Sequence, residues 1–225
     1  MTFSLLARCP ETGAFGMVIS SSSPAVAARC AHARAGVGVA ATQNITDPAL
    51  GPRLLDLMEA GASAAEAMAQ VVAEAPHVDY RQLMCIDAAG RVAGHSGAKT
   101  LGVWALAEGQ GVIAGGNLLA HDGVPAAMVA GFGAAQGALG DRLVAALQAG
   151  AAAGGEAGPV HSAGLLIVDR ESWPVAWLRA DWSEAATPIE EVARAWAVYQ
   201  PQMAAYIQRA KDPEWAPSYG VPGDE

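Results

Sequence analysis

An α+β fold of two stacked antiparallel sheets with helices outside each is what the order of hydrophobic periods along this chain predicts. Three observations carry that expectation. Stretches of period two come in neighbouring pairs joined by short turns, and stretches of helical spacing also come in pairs. The order is a strand pair, two helices, four strands, two helices, two strands and a terminal helix, which asks for helical layers on sheets rather than a mixed bundle. At 225 residues, 52% hydrophobic and 16% charged, the chain has material for one well-buried domain, expected over residues 1–210 with a tail over 211–225. Periodicity leaves the strand order open.

In the opening segment, Phe3, Leu5 and Ala7 alternate with Ser4, Leu6 and Arg8, so the first strand has one apolar face. Cys9-Pro10-Glu11-Thr12-Gly13 turns the chain into a second alternating run, Phe15 to Ile19, which Ser20-Ser21-Ser22-Ser23-Pro24 ends. Val26 to Cys30 reads as a further short extended piece. Gly36 to Thr42, rich in small and β-branched residues, reads as a strand buried on both faces. Asp47-Pro48 is a helix entry, and Leu50, Leu54, Leu57 and Met58 follow at helical spacing. Gly61 closes that helix, Ser63 with Glu66 forms a capping box for the next, and Pro76 stops it.

Arg81 to Gly94 holds two strands around Asp87-Ala88-Ala89-Gly90, and Leu101 to Ala107 with Gly111 to Gly115 forms a second pair. His95-Ser96-Gly97 and Gly115-Gly116-Asn117 are expected in the loops at their ends. Asp122 is a candidate cap for a helix carrying Val124, Met128 and Phe132, and Leu139, Leu143, Val144 and Leu147 mark another. After a small-residue linker, Gly164 to Val168 and Val175 to Leu178 read as the last strands. Thr187-Pro188-Ile189-Glu190 opens a final helix that Pro201 should kink or break. The tail, with Trp215 and Tyr219 among three prolines, is expected to pack in an extended form on the body or on a second subunit.

Composition narrows the function. The net charge is −9, and Lys99 and Lys211 are the only lysines, so nucleic acid and anionic membranes are poor partners. No run reaches the roughly 18 apolar residues of a membrane span. Cys9, Cys30 and Cys85 form no Cys-x-x-Cys pair, and no signal segment is visible at the start, which points to a reducing cytoplasm. The five histidines lack metal-ligand spacing, and neither a metal nor another cofactor is expected. Cys85 lies in an apolar strand, where burial keeps a thiol inert.

One position offers chemistry. Thr2 directly follows the initiator Met1. If Met1 is removed, Thr2 carries a hydroxyl and a free α-amine of pKa about 8 on one residue, a nucleophile with its own base. Attack on an amide carbonyl then needs an oxyanion hole, for which the Gly-rich stretch ending in Asn117 offers backbone amides and a side-chain amide. Ser20, Gln43, Asn44, His95 and Ser162 stand at strand ends that can surround the same pocket.

The chain also resembles a known family, domain-of-unknown-function family 1028. The matching residues are Met1-Thr2-Phe3-Ser4-Leu5-Leu6-Ala7-Arg8 with Pro10-Glu11-Thr12-Gly13, Ala33-Arg34-Ala35-Gly36-Val37-Gly38, Ala41-Thr42-Gln43, Asp47-Pro48, Gly51-Pro52-Arg53, Tyr80-Arg81-Gln82-Leu83, Asp87 with Gly90-Arg91-Val92-Ala93, His95-Ser96-Gly97, Gly116-Asn117 and Ser162-Ala163. The resemblance implies the four-layer αββα sandwich of N-terminal-nucleophile hydrolases and brings no settled substrate. Cys9 departs from the family's usual Asp, the serine run from Ser20 replaces a bulkier segment, and His161 stands where Gln is usual. The lysine that proteasome-like members of the superfamily place about thirty residues after the nucleophile is absent. Arg34 is the nearest cation, able to stabilise charge but not to act as a base. The expected function is therefore amide hydrolysis at Thr2 on a small-molecule substrate, with a non-catalytic binding or assembly module as the alternative. A homodimer is expected from the aromatic tail.

Overall fold

The computed structural model describes residues 1–224. β1 (Thr2–Arg8) and β2 (Phe15–Ser21) form the opening hairpin, turned by Gly13 at φ 79°. α1 (Val26–Cys30) corrects the expected extended piece. Val26 N donates to Ser162 Oγ at 3.2 Å and Ala25 N to Asp181 O, so long-range contacts fix a five-residue run whose periodicity alone is ambiguous. β3 (Ala31–Arg34), not expected from the sequence, leads into β4 (Gly38–Asn44).

α2 (Leu50–Glu59) and α3 (Ala64–Glu74) follow. The Ser63 capping box forms as its pattern requires, with Glu66 N donating to Ser63 Oγ at 3.3 Å and Ser63 N to Glu66 Oε2 at 2.8 Å. Next come β5 (Arg81–Asp87), β6 (Val92–Ser96), β7 (Ala105–Gly109) and β8 (Val112–Asn117). α4 (Val124–Ala134) starts without the expected Asp122 cap; its first turn holds Pro125, and Gly123 N donates to His121 Nδ1 at 3.1 Å.

After α5 (Leu139–Ala152), β9 (Ser162–Val168) and β10 (Ala176–Ala180) complete the strands. α6 (Pro188–Tyr199) opens at the expected Pro, although the Thr187 hydroxyl donates to Glu191 Oε1 at 3.2 Å rather than capping the backbone. Pro201 sits in a 3-10 turn that separates α6 from α7 (Met203–Lys211). The tail folds back on α7, where Arg209 stacks 3.7 Å from the Tyr219 ring centroid.

All pairings are antiparallel. One sheet runs β10-β9-β2-β1-β8-β7, the other β3-β4-β5-β6. Period two divides each strand between two layers. Phe3, Leu5, Val18 and Leu165 face α4, α5 and α6 with Met128, Leu143 and Val192. Leu6, Phe15, Met17 and Ile113 face the second sheet, meeting Val39, Met84 and Ile86. The second sheet's outer face, Leu83 and Cys85, packs on α2 and α3 through Leu54 and Val71. The result is the αββα sandwich, with β1 at its centre.

Candidate functional site

At one end of the layer between the sheets the apolar residues give way to polar ones. Thr2 begins β1 between two neighbours, opposite Ser21 on β2 and Asn117 on β8, and Ser21 in turn lies opposite Ser162 on β9. Residues paired in register share a face, so Ser162, Ser21, Thr2 and Asn117 form one row across four strands. Thr2 is 6% exposed, Asn117 1% and Ser21 1%. The row continues the face that carries Leu6, Ile19 and Ile113 further down the same strands.

The second sheet answers with Gln43, Gln82 and Ser96, all on its inner face. Ser4 Oγ donates to Gln43 Oε1 at 2.7 Å, and Gln43 Nε2 to Gln82 Oε1 at 2.8 Å. Gln82 Oε1 also accepts from Asn117 Nδ2 at 3.2 Å, while Gln82 Nε2 donates to Ser96 Oγ and to the Gly116 carbonyl, each at 3.0 Å. Every amide in this chain of bonds has a partner, which is the condition for burying polar groups between sheets. Asn117 is thereby held in a fixed orientation beside Thr2.

The chain start sits directly against this row. Thr2 Oγ1 lies 2.5 Å from the Met1 carbonyl oxygen and 3.3 Å from Ser21 Oγ, and Ser21 Oγ donates to the same carbonyl at 2.5 Å. With Met1 attached, the Thr2 nitrogen is an amide and has no basic lone pair. Removing Met1 leaves that nitrogen as an amine on the same residue as the buried hydroxyl. The segment after α5 crosses over this point. Ala157 N donates to Leu118 O on one side of β1, His161 N to Ser21 O on the other, both at 2.9 Å, and a Cβ on Gly158 would stand 2.9 Å from Met1 Cε.

Glu156, in that crossing segment, is 5% exposed, and neither of its carboxyl oxygens has a hydrogen-bond partner. Burial pushes its pKa up to about 7, against the pull of the Met1 ammonium, Ser22 and His161. Ser22 lies near enough to act on the carboxyl without completing a hydrogen bond. His161 is held by a 2.8 Å contact from Nδ1 to Ser183 O and by stacking on Trp182 at 4.5 Å.

Several expected site residues lie elsewhere. Ser20 pairs opposite Phe3 and Ala163, on the helix-facing side, and its hydroxyl is buried without a partner. Its neighbour Ser21 takes the inner position, a shift of one residue that reverses the face. His95 pairs opposite Leu83 and so turns toward α2 and α3, leaving Ser96 in the network. Asn44, at φ 72°, ties two loops by donating to Tyr80 O at 2.6 Å and accepting from Leu101 N at 3.2 Å. Arg34 lies at the opposite end of its sheet, pairing with Asp56 at 2.9 Å and Glu59 at 2.5 Å on α2.

Ser162 stands in the row, but its hydroxyl donates to Ser23 O at 2.6 Å and accepts from Val26 N, fastening the start of α1. Gly115 and Gly116 are within β8, not in a turn, so no loop amides converge on Thr2 there. Gly116 is needed because a Cβ would come within 2.9 Å of Thr2 O and 2.5 Å of a Leu119 methyl. Ser4, Ser21, Gln82, Ser96 and Glu156 escaped the sequence reading. The available signal was that Gln82 is the polar member of a strand face otherwise made by Met84 and Ile86, and that Thr2 and Ser4 share the mixed face of Leu6 and Arg8 rather than the apolar one. A groove of about 610 Å³ opens at the far end of β1 around Cys9, Arg142 and Trp196, away from Thr2. Among the described residues no cluster of His, Cys, Asp or Glu is arranged to hold a metal ion, and no helix is long and apolar enough to cross a membrane.

The model of the family of unknown function DUF1028 matches residues 2–192. The structure is similar to that of protein SPO2555 from Silicibacter pomeroyi, a DUF1028 protein, at 27% identity over 100% of this chain and 99% of that one, with a TM-score of 0.86. Distant likenesses are to Anbu, an ancestral β-subunit, from Yersinia bercovieri (12% identity, 91% and 97% of the two chains, TM-score 0.42) and to an Anbu (Gly-1) mutant from Hyphomicrobium sp. strain MC1 (12%, 91% and 97%, TM-score 0.39). No curated protein matches.

Proposed function

This chain belongs to the family of unknown function DUF1028, and from that premise we propose that it is an N-terminal-nucleophile amidohydrolase whose nucleophile is Thr2 after Met1 has been removed. One observation supports this reading above the others: Thr2 starts the central strand of the larger sheet, buried in a polar row whose neighbours are hydroxyls and a fixed side-chain amide. Isolated polar groups are costly between sheets, and a structural role for Thr2 alone does not call for this surround.

In this mechanism the freed amine takes the Thr2 hydroxyl proton, Oγ1 attacks the substrate carbonyl carbon, and the resulting oxyanion is met by Ser21 and Asn117 side chains. Ser21 already donates to the Met1 carbonyl, which marks where an acyl oxygen can sit. The amine then returns its proton to the leaving amine, and water releases the acyl group from Oγ1. The substrate class is a small amide or peptide-like molecule, because acyl transfer from an amide is the chemistry that a hydroxyl with its own amine base performs.

The test is intact-mass analysis of protein isolated from its native cell, followed by a screen of amides, lactams and acylated amino acids on the processed chain. A chain that keeps Met1 in the cell has no base at Thr2 and ends the enzyme reading in favour of a binding or assembly module. We also propose a homodimer, supported by Trp215 at 79% and Tyr219 at 55% exposure. Gel filtration of the chain ended at Lys211 should move to the monomer position; an unchanged elution volume removes this argument.

A further inference from the structure

Glu156 has no role in the hydrolysis just described, yet among the described residues it is a carboxyl group with both oxygens buried and without a hydrogen-bond partner. A carboxylate so buried and without a hydrogen-bond partner is unstable unless a positive group meets it. Its surroundings are defined. The segment that carries it bridges to Leu119 on one side and reaches Ser21 through His161 on the other, passing over the start of β1. It lines a cavity of about 220 Å³ with Phe3, Gly155, Gly158 and Ile189. The charged or titratable groups whose fields act on it are the Met1 ammonium and the His161 imidazole, and His121, on the packed neighbouring loop, is held by Ala153 O at 2.6 Å.

We propose that Glu156 is the positioning residue for the terminal ammonium of the mature chain, the partner that holds the Thr2 amine against the row formed by Ser21 and Asn117. The inference rests on the reading of Thr2 as a freed terminus. Removal of Met1 moves the charged nitrogen one residue toward the sheet, about 3.8 Å, and vacates the Met1 side-chain volume beside Gly158. The backbone on both sides of Glu156 is fixed, Gly155 O accepting from Ala120 N and Ala157 N donating to Leu118 O, so it is the carboxylate side chain that turns to follow the amine. A carboxylate beside an ammonium favours the charged form, so Glu156 sets the pH above which the Thr2 amine is a free base. No step in catalysis requires Glu156 to touch the substrate.

The experiment reads the amine directly. Chain with verified loss of Met1 is labelled with an amine-reactive acyl ester across pH 5–9, the terminal peptide is quantified by mass, and Lys99 and Lys211 serve as internal controls. Glu156→Gln is expected to lower the labelling midpoint of the terminal amine by about one pH unit and to raise its labelling rate at pH 7 roughly three- to tenfold, with both lysines unchanged. Glu156→Asp, which keeps the charge, should fall between the two and serves if the Gln variant does not fold. Midpoints that coincide in wild type and in either folded variant overturn the proposal. The same labelling on Thr2→Ala, which keeps a terminal amine, separates the two readings: absent hydrolysis in wild type with a shifted midpoint ends the enzyme, not the ion pair.

Discussion

The layer between the two sheets has two ends built on the same strands, and they are made of opposite materials. At one end Leu6, Phe15, Met17 and Ile113 meet Val39, Met84 and Ile86; at the other Thr2, Ser4, Ser21 and Asn117 meet Gln43, Gln82 and Ser96. Strand pairing and period are continuous between them, so nothing in the backbone separates one from the other. The apolar end holds the sheets together by burial alone. The polar end must match each donor with an acceptor and contributes little net stability in return. Side chains that add this little to folding and are so fully satisfied fit a site held in one geometry.

If that division of labour is right, Thr2→Ala should abolish hydrolysis of whichever amide is turned over, by at least about a thousandfold, while its thermal midpoint stays near that of wild type. A large fall in stability with activity intact would reverse the assignment. At the apolar end, Met84→Ala should cost about 2–5 kcal/mol in denaturant unfolding and change hydrolysis only through the folded fraction.

Glu156 sharpens the comparison by pH. In the chain that retains Met1 its carboxyl has an ordinary value of 4.5 unfolded and about 7 folded. The folded state therefore holds a proton that the unfolded chain has released, and stability falls as pH rises from about 4.5 to about 7, by up to about 3 kcal/mol. Glu156→Gln should flatten the unfolding curve over that window; an identical pH slope in the two proteins would place the carboxyl in water. Gln82→Leu leaves Gln43 and Asn117 amide groups without their shared acceptor, and should cost about 1–3 kcal/mol. The smallest effect belongs to Ser20→Ala, which removes an unpartnered buried hydroxyl on the other face and should be neutral or stabilising by up to about 1 kcal/mol, with activity unaltered. Ser21→Ala, one residue away, should slow hydrolysis about a hundredfold.

The Ser20 and Ser21 pair shows what the sequence can and cannot tell. Both are in the same polar run, and the parity that places one inside the sandwich and one under the helices is fixed by Phe15, Met17 and Ile19 upstream. Extending that alternation by one step would have found Ser21. The position of Thr2 was legible from its place behind Met1 and that of Gln43 from its place at the end of a strand, whereas Asn117 was reached through a turn that is in fact the last part of β8. Arg34, Asn44 and His95 were not legible, since each depends on which end or face of a strand meets the other sheet, and that follows from strand order. Gly115 and Gly116 misled for a different reason. Their lack of a side chain answers close approach by Met84, Leu106, Leu119 and the backbone of β1, not a change of chain direction. Most of the element order was legible because caps and periods are local; the short α1 was not, because its hydrogen bonds come from Ser162 and Asp181.

The central place of β1 also bears on how the protein is made. β1 finds one neighbour at once in β2, but the other, β8, pairs Asn117 with Thr2 across more than half of the chain. The larger sheet therefore stays open along that edge until much of the polypeptide has been synthesised, and closing such distant pairs is slow. A bulky fusion ahead of Met1 would lie against the segment from Ala157 to His161 that crosses the start of β1, whereas α7 packs chiefly on the turns that flank it and not on either sheet.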